Sequence, residues 1–227
     1  MRLILGNKLY SSWSMRPWLL MKVVGIEFSE EVVPLFKEGS KEKILARSPS
    51  GKVPCLVDGD VVVWESLAIM EYLAERFPDK GVWPSDVRAR AHARAAASEM
   101  HAGFQPLRAA LPMNLSKRFV LPELGSEAAA NVARVESLWR EARVRFAADG
   151  PFLYGSFCAV DAMFTPVVTR FDTYQVPVST DTRAYMDAIL ALPALIAWRR
   201  DGLAEPRAWD LPHYEAGHVA VEEFARP

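Results

Sequence analysis

Along the first eighty residues the spacing of hydrophobic positions changes several times. "RLILG" (2–6) is a short β-type apolar run. "RPWLLMKVVGI" (16–26) has helical spacing and meets a stop signal at Gly25. "EFSEEVVPLF" (27–36) alternates loosely, as a strand does, and "KEKILARS" (41–48) reads as a short helix before the turn cluster "PSGK". "VPCLVDGDVVVWES" (53–66) predicts two strands joined at Asp58-Gly59, a strong hairpin signal. "ESLAIMEYLAERFP" (65–78) is an amphipathic helix that ends before Pro78. The predicted order is β-α-β-α-β-β-α.

From about residue 87 the strand signals fade. "VRARAHARAAASEMHAGFQPLRAAL" (87–111) is alanine-rich and helical, and the helix predicted from Ser126 closes at Gly150. "VDAMFTPVVTRFDTY" (160–174) is apolar enough for a central helix, with Pro166 as a kink inside it. "TDTRAYMDAILAL" and "PALIAWRRDGL" follow, the second opening on Pro193, a favourable first helical position. The turn-rich "DKGVWPSD" (79–86) is the expected linker between a mixed unit, residues 1–80, and a helical unit, residues 87–227. The pattern does not place the tail after Leu203.

Composition narrows the function classes. A chain of 227 residues, half of it hydrophobic, affords a sizeable core. A net charge of −1 gives no support to a nucleic-acid partner. Cys55 and Cys158 are the two cysteines, too few for a disulfide framework or a zinc cluster, and both read as buried thiols in a reducing compartment. The opening "MRLILGNKLY" is too short for a secretory core, and no apolar run reaches the roughly 18 residues of a membrane helix. The expectation is a cytoplasmic protein with no membrane contact and no metal. His213 and His218 lie five apart with Glu215 between them and read as surface histidines. Asn114-Leu115-Ser116 fits a glycosylation pattern without secretory context.

The β-α-β-α-β-β-α order, the turn into "KVPCL" and "ESLAI" opening a helix together resemble the glutathione transferase superfamily over nearly the whole chain. "SSWSMRPWLL" is most similar to its serine-type members, above all the zeta class. The resemblance implies an α/β thioredoxin-like N-terminal domain followed by an all-α C-terminal domain. It also implies glutathione as co-substrate, a small electrophile held by the helical domain, and a homodimer. By resemblance Pro54 is cis, and the backbone of Val53 pairs with the cysteinyl part of glutathione. Glu65 and Ser66 bind the γ-glutamyl end, Glu65 at its ammonium and Ser66 at its carboxylate. Ser66 reads as the N-cap of the following helix, whose free N–H groups and partial positive charge suit an anion. Lys37 or Lys52 reaches the glycyl carboxylate, or either is a solvated surface charge.

The chemistry needs a thiolate. A free thiol has a pKa of about 8.5, and lowering it one unit takes about 1.4 kcal/mol. A hydroxyl donating to the sulfur near a helix N-terminus supplies an effect of that size. Proline is tolerated in a first helical turn and costs about 3 kcal/mol further in. Pro17 therefore predicts Ser14 as the cap, with Ser11 and Ser12 in the loop before it. The zeta-like pattern selects Ser11 as the thiolate holder, and theta- and delta-like spacing selects Ser12, which is preferred. Trp13, placed with the glutathione-site residues, stands where zeta members carry a cysteine. "CAVDAMF" resembles the family's capping motif, with Asp161 matching and Cys158 in place of the usual hydroxyl. His101, Phe104 and Met113 are candidates for the wall facing the sulfur.

The expected function is a transferase of detoxification type, directing the glutathione thiolate at a small hydrophobic electrophile. One alternative is a zeta-like glutathione-dependent cis-trans isomerase with a maleylacetoacetate-type substrate. Another is a stress-related protein that binds glutathione or an apolar ligand without turnover.

Overall fold

A computed structural model describes residues 1–147 and 150–226. The first part holds four strands, β1 (Arg2–Leu5), β2 (Ser29–Val32), β3 (Cys55–Asp58) and β4 (Val61–Trp64). They lie in the order β2-β1-β3-β4, with β1 parallel to β2 and antiparallel to β3. Helices α1 (Ser12–Val23), α2 (Ser40–Leu45) and α3 (Ser66–Arg76) connect them. This is the predicted order. The β3–β4 turn uses Gly59 at φ +58°, a conformation that suits glycine.

Alternation along β1 explains why the sheet needs cover on both sides. Leu3 and Leu5 join the main core with α1 and α3, while Ile4 faces a second cluster with Val33, Ile44 of α2 and Cys55. A central strand buried on both faces carries no polar alternation, so "LIL" reads as a continuous apolar run.

The second part is mostly helical: α4 (Val87–Ala102), α5 (Gln105–Ala110), α6 (Ser126–Phe146), α7 (Ala159–Thr173), α8 (Thr180–Leu190) and α9 (Pro193–Leu203). The helical stretch predicted over 87–111 divides at Gly103 and Phe104 into α4 and α5, where Phe104 adopts φ +61°. Asp86 caps α4, its side chain accepting from the Arg88 and Ala89 N–H groups. Helix α6 ends at Phe146 rather than at the predicted Gly150; residues 148–149 lie outside the described residues. Helix α7 is buried along nearly its whole length and packs against α1, α4 and α8. It carries Pro166 internally, as predicted. Asp161 completes a capping box with Cys158 and supplies its stronger half, the thiol being a weak acceptor: its carboxylate accepts from the Cys158 N–H at 2.9 Å and the Leu153 N–H at 3.1 Å.

Two features correct the expectation of a purely helical second part. A short strand β5 (Lys117–Phe119) precedes α6, and the tail ends in β6 (Ala220–Glu223), antiparallel to it. Between α9 and β6 the tail folds back over the first part. The Glu205 carboxylate accepts the Lys8 N–H at 2.7 Å, and the Trp209 carbonyl accepts from Asn7 Nδ2 at 3.1 Å. These bonds join residues about two hundred positions apart, which no local pattern announces. Among the described residues no helix is long and apolar enough to cross a membrane.

Candidate functional site

Helix α1 begins three residues earlier than Pro17 predicts. Its N-cap is Ser11, whose hydroxyl oxygen accepts from the Ser14 N–H, and Pro17 sits at the sixth helical position. Ser14 is not the cap, because its hydroxyl oxygen is used elsewhere. It accepts from the Gly6 N–H at 3.0 Å and from the Ser11 hydroxyl at 2.7 Å, tying the helix start to the end of β1. Burial of Met15, Arg16 and Trp18 in the interior offsets the cost of an internal proline, as tertiary packing can.

The three serines therefore differ. Ser14 is fully buried. The Ser11 proton is committed to Ser14. The Ser12 hydroxyl has no hydrogen-bond partner among the described residues, while its N–H donates to the Tyr10 carbonyl at 3.0 Å.

Two cavities meet at this point. One, of about 200 Å³, is lined by Trp13, Lys52, Val53, Pro54, Glu65, Ser66, His101, Gln105 and Arg108. The Val53–Pro54 bond is cis. Glu65 takes φ +68°, a sparsely populated conformation for a side-chain-bearing residue and one that clusters at ligand sites. Glu65, not Ser66, is the cap position of α3, and its side chain caps nothing. Ser66 is the first helical residue, fully buried, with its hydroxyl 3.9 Å from the Met163 sulfur. The first N–H groups of α3 thus have no side-chain cap, at the positive end of an 11-residue helix. Glu65 Oε2 stands 3.5 Å from His101 Nε2.

The second cavity, of about 430 Å³, is lined by Ser11, Ser12, Arg108, Arg170 and the tail residues His213 and Tyr214. Leu35, Phe36, Val53, Ala109 and Pro112 add apolar wall. Trp13, Val53 and Arg108 border both cavities.

The candidates thus divide. Val53, Pro54, Glu65, Ser66 and Trp13 come together around the first cavity, with His101 and Lys52, and Ser11 and Ser12 face the second. Lys37 lines neither; its ammonium donates to the Asp210 carbonyl at 3.1 Å. Phe104 and Met113 also line neither and are core residues.

Positive charge dominates the junction. The Arg16 guanidinium lies 3.9 Å from the Trp13 ring centroid and that of Arg108 4.5 Å from it. Arg16 is fully buried; its Nε donates to the Met163 carbonyl, and Nη1 and Nη2 have no partner among the described residues. Burial, then the neighbouring Arg170 and Arg108, push its pKa well below the ordinary guanidinium range. Arg170, also buried, donates to the carbonyls of Leu111 and Pro166. Burial, then Arg108, lowers its pKa to about 10. No carboxylate among the described residues pairs with Arg16, Arg108 or Arg170. Of the three, Arg108 and Arg170 line the second cavity, and two guanidinium groups without a carboxylate partner favour an anion there. Among the described residues no group of His, Cys, Asp and Glu is arranged to hold a metal.

Sequence reasoning missed Arg108, Arg170, His213 and Tyr214. Arg170 carried a usable signal, the one cation inside a largely apolar helix, where charge is costly without a purpose. The tail residues carried none.

A mixed four-stranded sheet with a cis proline facing an uncapped helix start, followed by a helical bundle, defines a glutathione transferase architecture. The family model described as "Glutathione S-transferase, N-terminal domain" matches residues 10–76. A zeta-class glutathione S-transferase of Euphorbia esula is 30% identical over 175 residues, 73% of this chain and 77% of that one. A probable maleylacetoacetate isomerase of Caenorhabditis elegans is 43% identical over 96 residues; the match covers 42% of this chain and 44% of that protein, less than half its length. In fold, a maleylacetoacetate isomerase from Methylobacterium extorquens AM1, solved with malonate and glutathione bound, matches with a TM-score of 0.66 at 22% identity, over 91% of this chain and 98% of that one. The chain belongs to the glutathione S-transferase superfamily and is zeta-like.

Proposed function

We propose that this chain is a glutathione-dependent isomerase. In this reading it adds the glutathione thiolate to a small cis-enone carrying carboxylate, lets the adduct rotate, and releases the trans product. The smaller cavity takes glutathione. Val53, presented by cis Pro54, pairs with its cysteinyl backbone; the uncapped start of α3 at Ser66 takes the γ-glutamyl carboxylate, and Glu65 takes its ammonium. Lys52 is placed for the glycyl carboxylate. Ser12 donates to the sulfur, because its hydroxyl is free where that of Ser11 is engaged.

One observation carries the choice of substrate. Arg108 and Arg170 line the same cavity as Ser12 with no carboxylate partner, so the electrophile it suits is anionic rather than purely apolar. The naming of two relatives as maleylacetoacetate isomerases supports the same class. Conjugation of a small hydrophobic electrophile remains the second reading, favoured by Trp13 at the position of the zeta cysteine and by the apolar wall around Leu35 and Pro112. A cytoplasmic homodimer, with residues 1–80 as glutathione domain and 87–227 as electrophile domain, completes the proposal.

The test is turnover of a maleylacetoacetate-type cis-enone acid with substoichiometric glutathione. Isomerisation regenerates the thiol, so many turnovers per glutathione are expected. Consumption of one glutathione per product would establish conjugation instead.

A further inference from the structure

The tail brings to the larger cavity a group that the isomerase reading has not used. After α9 it crosses the first part, turns through Pro212–Tyr214 and places Tyr214 in the wall of the cavity that Ser11 and Ser12 also line. Its position is fixed from several sides. The Tyr214 N–H donates to the Leu211 carbonyl at 2.9 Å, and its ring packs edge-on against Tyr10 at 5.5 Å. The next residue, Glu215, accepts from Lys117 at 2.7 Å and from Asn114 at 3.0 Å. The phenol itself has no hydrogen-bond partner among the described residues. Tyr10 also lines the cavity, but its hydroxyl oxygen is shut away from solvent.

Resting on the isomerase reading, we propose that Tyr214 is a further catalytic residue, the hydrogen-bond and proton donor to the carbonyl oxygen of the enone.

Addition of a thiolate to an enone needs such a group. The sulfur bonds to the olefinic carbon, and the π pair moves through the former C=C onto the carbonyl oxygen. The Tyr214 O–H gives its proton to that oxygen, leaving an enol and a phenolate. The former double bond is now single and rotates. The enol then returns its proton to the phenolate, the C=C reforms, and the C–S pair departs on sulfur as thiolate. Atoms and charge balance without another reactant. Burial raises the Tyr214 pKa, and Arg170 and Arg108 partly oppose this, so the group starts protonated at neutral pH and its phenolate is formed beside two cations. A fixed donor aimed where charge develops acts chiefly on the transition state.

The experiment is steady-state kinetics of Tyr214→Phe on a maleylacetoacetate-type cis-enone acid. Glutathione affinity and the pKa of the bound thiol are measured on the same preparation. Phenylalanine keeps the ring contacts and removes only the hydroxyl. The expected result is a kcat lower by on the order of 100-fold, the usual loss for one oxyanion donor, with KM and both glutathione readouts within about twofold. A kcat within threefold of the parent enzyme would overturn the assignment while leaving the isomerase reading standing. A rise in KM with kcat unchanged would also overturn it, making Tyr214 a binding group only. Absence of isomerisation by the parent enzyme would overturn both, with normal glutathione binding showing that the fold and co-substrate site are intact.

Discussion

At the scale of single residues, three serines within four positions do three jobs. Ser14 joins α1 to the end of β1, Ser11 caps the helix, and Ser12 is left with a free hydroxyl at the cavity. Sequence showed that hydroxyls gather before a helix but not how they divide, because the division depends on the Gly6 N–H, eight positions from Ser14. The residues around the smaller cavity were more legible, since a cis proline and a helix start act through backbone geometry that a short motif encodes. The arginines were not, because their meaning lies in having no carboxylate partner among the described residues. Ser12→Ala raises the pKa of bound glutathione by about one unit or more and lowers turnover at neutral pH accordingly, whereas Ser11→Ala acts mainly on stability, by about 1 kcal/mol as a lost cap. Absorbance of the thiolate against pH in both complexes separates the two effects. Arg170→Met raises KM for a carboxylate-bearing electrophile roughly tenfold or more while leaving glutathione affinity near that of the parent protein. Equal losses for anionic and neutral electrophiles would remove the arginine from substrate recognition.

At the scale of elements, what could be read depended on how local the causes were. The β3–β4 hairpin, α9 beginning at Pro193 and the apolar α7 follow from their own residues. The start of α1, the break between α4 and α5 and the β5–β6 ribbon follow from tertiary partners. Asp161 shows an element held by one buried group. It accepts from two backbone N–H groups, and the Tyr185 hydroxyl donates to it at 3.2 Å. Asp161→Ala leaves those donors unpaired in the interior, at about 3 kcal/mol or more, and chemical denaturation should show it as a lower midpoint. The tail has its own signature at Glu205. Burial raises this carboxyl to about pKa 7, against the favourable bonds from the Lys8 and Leu9 backbone. The unfolded chain ionises it near 4.5. The folded protein therefore holds the extra proton between these values, and the stabilising contribution is full below pH 4.5 and lost as pH rises through 7. Glu205→Gln should abolish that loss. Thermal unfolding at pH 5 and pH 8 should show the variant gaining on the parent protein at pH 8, and a constant difference would contradict the assignment.

At the scale of the whole molecule, the site is a junction product. The sheet part contributes the serines, cis Pro54 and the start of α3; the helical part contributes Arg108 and Arg170; the tail contributes Tyr214. The two parts are fastened close by, through the Ala159 N–H to the Val82 carbonyl at 2.8 Å and Arg16 to the Met163 carbonyl at 3.1 Å. Resemblance carried the architecture and brought Val53, Pro54, Glu65 and Ser66 to one cavity, because these depend on backbone features that short motifs encode. It left the electrophile side open, because that side is made of side chains on helices and of a tail with no local pattern. Whether this site activates a thiol is decided by calorimetric titration with glutathione, followed by thiolate absorbance against pH, on the parent protein, Ser12→Ala and Ser11→Ala. The expected result is binding below millimolar glutathione and a bound thiol pKa at least about one unit under its free value, with that depression lost in Ser12→Ala and kept in Ser11→Ala. No binding at millimolar glutathione, or a thiol pKa unchanged on binding, would contradict it.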